Sequence, residues 1–430
     1  MAKSEPMPAS SGAVGFAATH LVPRLATIAA IIACLLLVPR PSQVIAVIIA
    51  ASLGVHIWHR GAGHRLLRET QTVVAAAVPV LGFYVVACII TLITAFAPAE
   101  HALRSLEMFA AHAVVLTFFI LGRAVGRVEW MVVHNWTFGV VVAATALLVV
   151  DQNAFFIRGL VTPDDARVVP SDPNRAFLIC SFALAFFLAL WTQLGAWRRA
   201  GLTIALLAAM FVVSASESAR LVALIALVFA VLRPAGARWM LGTAVVAALA
   251  LMVVGPFVWG PITAAWEAGP LADFKRYTFL ARLQTWSDFS TLIRESWFLG
   301  RGLDVSKLIA AQPEFFRMPT VPCGAGLKFC PWHPHNVGVQ VVTDLGALGI
   351  VWFTAMLALV ARWVSRRFKG PERVALAAML VSFLAVSFVA DGMWQWWWWL
   401  TAGLIAAWLG LASAQRDGPE ENAEQAAAEQ

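Results

Sequence analysis

Two histidines bracket a proline and run straight into an asparagine in CPWHPHNVGVQVVTDLGALG, Cys330 to Gly349. Neutral imidazole is the side chain suited to accepting a proton near pH 7. A helix start favours that form, because its partial positive charge opposes imidazolium. Pro334 fits a first helical turn, where a missing N–H costs nothing. The stretch therefore predicts a helix beginning at Pro334, with His335 and Asn336 in its exposed first turn. Asn336, Gln340 and Asp344 follow at four-residue steps and share one face. A polar stripe entering an apolar helix faces a bundle interior or a cavity rather than lipid. Helix N-termini also attract phosphate, which would make a base and an anion site neighbours. A lone interfacial histidine can also be no more than an amphipathic residue at headgroup level. His134-Asn135 shows how little an isolated His-Asn pair conveys.

Cys323, Cys330, His333 and His335 are four zinc-type ligands in one short segment, but C-x6-C-x2-H-x-H is not a standard zinc spacing. In an oxidising compartment the two cysteines make a candidate disulfide instead. Arginines form a second constellation: Arg220 after SASES, Arg282 one helical turn before Trp286, and Arg301 between Gly300 and Gly302. A guanidinium beside a bilayer calls for an anionic partner and matches phosphate bidentately. For Arg282 and Arg301 the alternative partners are lipid headgroups or the nearby Asp273, Asp288, Glu295 and Asp304, whereas Arg220 is embedded nearest to apolar sequence. Met393 to Trp399, MWQWWWW, reads as an interfacial aromatic belt, with stacking on sugar rings as the alternative. Neither a glycine-rich nucleotide loop nor an Asp-x-Asp metal pair is present, so a substrate that arrives already activated is expected, with no nucleotide or metal.

The elements that must position these residues are membrane helices. Of 430 residues 60% are hydrophobic and 13% charged, and mean hydropathy is +0.78; a soluble domain would carry about 25% charged residues. Solidly apolar runs rule out barrel strands, which alternate. About twelve spans are expected: 25–38, 43–58, 72–96, 107–122, 131–150, 176–196, 200–214, 217–232, 239–257, 336–360, 374–390 and 393–412. Arginines cluster after each even-numbered span from the second to the tenth, which predicts cytoplasmic termini. That orientation accounts for the pI of about 9.6 without nucleic-acid binding, for which no basic module with interleaved aromatics exists.

The expected layout has a disordered cytoplasmic tail at 1–24 without signal-peptide layout, a bundle at 25–257 and a large outer loop at 258–335. Further spans occupy 336–412, and an acidic, disordered tail occupies 413–430. Within the loop, Phe279, Leu283, Trp286, Ile293 and Trp297 repeat with the period of an amphipathic helix, lying on the membrane surface. Cys34, Cys88 and Cys180 sit in apolar runs as small core residues.

R-x3-W (Arg282, Trp286), ESWFLGRGLD (Glu295 to Asp304) and HPHN followed by DLGALG, in this order and on one side, resemble the O-antigen ligase and polymerase superfamily of bacterial inner-membrane glycosyltransferases. The resemblance implies an all-α, GT-C-like membrane protein with a periplasmic active site. It also implies metal-independent, inverting transfer from an undecaprenyl-diphosphate-linked glycan, in a ligase to a sugar hydroxyl of lipid A–core. By position, His335 would be the general base, with His333 its substitute in another register, and Arg282 and Arg220 would hold the diphosphate. Asn336, Arg301, Gln340 and Trp286 would line the substrate. Members often place Ser directly before the intramembrane Arg, whereas Ala219 separates Ser218 from Arg220 here. The compact chain and single dominant outer loop favour a ligase. Polymerase and protein O-oligosaccharyltransferase share the core, and a lipid-linked sugar flippase is the non-enzymatic alternative.

Overall fold

The structure is a computed structural model that describes residues 57, 63–94, 98–124, 130–154, 171–214, 216–269, 277–305, 334–390 and 395–416. The expected spans 25–38 and 43–58 lie outside these residues, apart from residue 57. So do both expected tails apart from residues 413–416, Cys34, Cys323, Cys330 and His333.

Eleven helices are described: α1 (Gly63–Thr94), α2 (Pro98–Ala124), α3 (Trp130–Ala154), α4 (Ser171–Gln193), α5 (Trp197–Val213), α6 (Glu217–Val231), α7 (Pro234–Ala268), α8 (Tyr277–Glu295), α9 (Val337–Arg367), α10 (Gly370–Val389) and α11 (Trp396–Ala414). No strand occurs among the described residues. Every span expected from 72–96 onward has a helix over it, as the long apolar runs require. Six of these helices are long and apolar enough to cross a membrane: α2, α4, α7, α9, α10 and α11. α1 bends by 47° at Pro79 and makes a seventh if counted as one span, since proline removes a ladder hydrogen bond and crowds the preceding turn. α5 and α6, at 17 and 15 residues, are shorter.

The helices pack around two apolar centres. In one, α4 lies against α6 and α10, with aromatic residues of α3 and α11 closing the cluster. In the other, α7 packs on α8, α9 and α10. The apolar window of α4 is 78% buried and that of α7 only 28%, so α7 turns Val246, Val254 and Phe257 outward, as lipid contact demands. α2 and α11 approach closely because Gly122 and Gly410 bring their backbones onto Ala407 and Phe119.

Polar side chains tie one end of the bundle. Arg123, at the end of α2, pairs with both carboxylate oxygens of Glu69 near the start of α1 and donates to Ser413 Oγ on α11 at 2.8 Å. Arg367, ending α9, donates to the Ser413 carbonyl at 3.1 Å.

Two sequence expectations change. The described part of the tryptophan run does not face outward as a belt: Trp397 and Trp398 are buried, and Trp398 stacks on Phe383 at 4.2 Å. α8 does not lie free on a membrane surface: Leu283, Trp286, Phe289 and Ile293 are buried in the second centre, against α7 and α9. The amphipathic period reported a buried face correctly but could not say what covers it.

Candidate active site

α9 starts at Val337, three residues later than the proline suggested. Asn336 is its N-cap, accepting the Val339 N–H at 3.0 Å, the arrangement that satisfies an otherwise orphaned donor. His335 stands just outside the helix with φ +51°, a left-handed conformation that costs a non-glycine residue about 1–3 kcal/mol and persists only when neighbours hold it. The proline rule failed because Pro334 precedes this reversal rather than opening the helix.

Three contacts hold the reversal. Trp286 Nε1–H on α8 donates to the Pro334 carbonyl at 2.7 Å. Asn336 fixes the chain on the other side. His335 Nδ1 lies 2.9 Å from the Ala390 carbonyl at the end of α10. A carbonyl has no proton to give, so Nδ1 carries the hydrogen and, in the neutral ring, Nε2 carries the lone pair. Burial pushes the imidazole below its ordinary pKa; the Ala390 bond opposes this, and the Arg282 charge adds to the lowering. The ring is therefore neutral at pH 7, with Nε2 as its basic atom. That is the state a general base needs.

Arg282, half-buried one turn before Trp286 on α8, is close enough to His335 for its charge to bear on the ring. The R-x3-W spacing thus has a physical meaning. One face of α8 brings a cation toward the imidazole and braces the backbone that carries it.

Arg220 is half-buried in the first turn of α6. Its guanidinium donates to the carbonyls of Phe211 at 3.1 Å and Ser214 at 3.0 Å, at the end of α5, and lies over the Phe211 ring. These contacts satisfy helix-end carbonyls and leave the charge unneutralised, since no carboxylate among the described residues pairs with it.

Arg301 has a different place. It pairs with Glu295 and reaches the Leu292 carbonyl at 3.3 Å, so it latches the end of α8, the ion-pair alternative raised by the sequence. Its loop also repairs a break in α9. Gly346 has φ +60° and ψ −145°, and the carbonyls freed there accept from Arg301 N (Thr343, 2.9 Å) and Gly302 N (Asp344, 3.1 Å), while Ala347 N donates to Trp297 O at 2.8 Å. A Cβ at Gly346 would stand 2.6 Å from the Gly300 nitrogen. FLGRGLD and DLGALG are therefore the two halves of one backbone junction.

Gln340 and Asp344 are buried inside the bundle, as the polar stripe required, with Asp344 Oδ2 accepting the Asp304 N–H at 3.1 Å. Trp286 is buried against Trp259 and braces the Pro334 carbonyl. His333 lies outside the described residues. The structure brings together His335, Arg282, Trp286 and Asn336. Sequence reasoning missed the carbonyls of Ala390 and Pro334, which carry no side-chain signal, and the Gly346 break, whose only sign is the glycine pairing.

Fold and site together define a polytopic all-α membrane protein with a half-buried imidazole and arginines near its helix ends. Residues 202–354, from α5 into α9, match the family model for O-antigen ligase, and this part of the chain is similar to the O-antigen ligase superfamily. The match spans Arg220, Arg282, Trp286, Arg301, His335 and Gln340. No curated protein matches the chain at significant similarity.

Proposed function

We propose that this protein is an O-antigen ligase of the bacterial inner membrane. It moves a glycan from undecaprenyl diphosphate to a sugar hydroxyl of lipid A–core at the periplasmic face. The observation that carries the reading is His335 fixed as the Nδ1–H tautomer beside Arg282. His335 Nε2 takes the proton of the acceptor hydroxyl as its oxygen bonds to the anomeric carbon of the donor. The carbon–oxygen bond to the diphosphate breaks from the opposite face, inverting that carbon, and undecaprenyl diphosphate leaves with the electron pair. Arg282 and Arg220 stabilise the charge on the leaving diphosphate, as fixed cations do in sites that exclude water. No metal or nucleotide takes part.

The orientation rests on charge. Arg198, Arg199, Arg233, Arg238, Arg366 and Arg367 lie at the helix ends opposite those bearing His335 and Arg220, and basic connectors stay in the cytoplasm.

The deciding experiment incubates purified protein with lipid-linked glycan and lipid A–core. The expected product is coupled glycan, formed equally well with chelator and lost in His335→Ala by at least about a hundredfold, within the range of general-base contributions. Lengthened lipid-linked glycan instead would make the protein a polymerase, and chelator-sensitive, zinc-restored coupling would overturn the metal-free step. Near wild-type coupling by His335→Ala would remove the base.

A further inference from the structure

The left-handed backbone at His335 has no glycine to excuse it, so something must hold it. Downstream, the Asn336 cap fixes the chain onto α9. Upstream, the brace comes from a different element: the indole N–H of Trp286 on the Pro334 carbonyl at 2.7 Å. That carbonyl belongs to the peptide plane that also contains the His335 nitrogen. Fixing it sets the plane from which the φ of +51° turns. The indole is itself rigidly held, 4% exposed, packed on Trp259 at 4.8 Å, with its own carbonyl accepting from Ser290 Oγ at 2.6 Å.

We propose that Trp286 is a positioning residue for His335: by holding the Pro334 carbonyl, its N–H keeps the reversal that turns the imidazole onto the Ala390 carbonyl and so selects the tautomer with Nε2 unprotonated. The inference rests on the general-base reading above for its kinetic consequence. Its structural consequence, the tautomer of one ring, is independent of that reading. Released from the indole, the Pro334–His335 plane relaxes toward negative φ, the ring leaves Ala390, and the preference for Nδ1–H goes with it. Arg282 sits on the same α8 face, so donor contact and base alignment fall to a single helical surface.

The test replaces Trp286 by phenylalanine, and separately by benzothienylalanine, which keeps the indole shape and has sulfur in place of the N–H. Coupling kinetics are measured on the full-length protein in lipid nanodiscs. Ring-15N histidine spectra accompany them, with the His335 signals assigned by their loss in His335→Ala. The expected result in both variants is a fall in kcat of about tenfold, the scale of a modest misplacement of a catalytic group. The donor KM stays within about twofold, and the single Nδ1–H tautomer gives way to a mixture. An unchanged kcat overturns the proposal, as does a fall in kcat with the tautomer intact. A raised donor KM at unchanged kcat also overturns it, by making Trp286 a substrate contact. If phenylalanine at 286 prevents folding, the isosteric benzothienyl variant decides. If His335→Ala still couples glycan, the base assignment fails, while the tautomer measurement still decides what Trp286 does.

Discussion

At the scale of single residues, the proposed chemistry turns on which nitrogen of His335 is protonated and when. The sequence showed the imidazole and its neighbours, because HPHN before an apolar run is a visible pattern. It did not show the tautomer, because that is set by Ala390 O, a backbone atom from a helix end far along the chain. Arg220 and Arg301 share type and side, and the sequence sets Arg220 apart by its nearness to apolar residues. The structure separates them, since Arg301 has Glu295 within reach, whereas among the described residues Arg220 meets helix-end carbonyls and an aromatic face. A pH prediction follows from the lowered pKa of His335. Base catalysis needs the unprotonated ring, so kcat rises with pH through the His335 pKa and is flat above it. Because that pKa is depressed by burial and by Arg282, the midpoint of the rise lies below the ordinary histidine value of about 6.5. A kcat profile of the wild-type protein in nanodiscs between pH 4.5 and pH 8 checks this. A midpoint at or above pH 7 would contradict the half-buried, neutral imidazole.

At the scale of elements, helix positions were legible and helix junctions were not. Apolar run length marks a span regardless of partners, so α1 to α7 and α9 to α11 overlap the expected spans, with α1, α2 and α7 extending well past them. Junctions depend on backbone geometry, which hydropathy does not encode. Hence the helix start was misplaced by the reversal at His335, and the α9 break at Gly346 was invisible except as GxxG spacing. The break carries its own prediction. Gly346→Ala forces a side chain into the left-handed region and onto the Gly300 nitrogen, 2.6 Å from its Cβ, so the 297–302 segment must move off α9. Strain of this kind costs about 1–3 kcal/mol, and the lost hydrogen bonds from Arg301 and Gly302 add about 0.5–1.5 kcal/mol each. Thermal unfolding in detergent should show a clear drop for Gly346→Ala and little change for Gly242→Ala, where the added methyl meets open space. Equal melting of the two variants would mean that the junction is not a stabilising contact.

At the scale of the whole molecule, the two ends of the bundle have separate tasks. The His335 end gathers the groups of the proposed active site. The other end is tied by Arg123, held between Glu69 of α1 and Ser413 of α11, with Arg367 from α9 on the same serine. The side chains of Arg123 and Glu69 are 18% and 11% exposed, so each charge is largely withdrawn from water and depends on the other. Removing one member of such a pair strands the survivor and costs about 3 kcal/mol or more, whereas removing both costs much less than the sum. Glu69→Ala and Arg123→Ala are therefore each expected to lower the unfolding midpoint markedly, and the double variant to recover part of the loss, a non-additivity measurable by a double-mutant cycle on thermal unfolding. The separation of the ends adds a second requirement. Coupling activity per folded molecule should be unaltered in all three variants, because neither residue touches the His335 end. Additive destabilisation would deny the pair its tie across α1, α2 and α11. A loss of kcat in protein that remains folded would show instead that the two ends are mechanically coupled through the long α9, whose break at Gly346 lies between them.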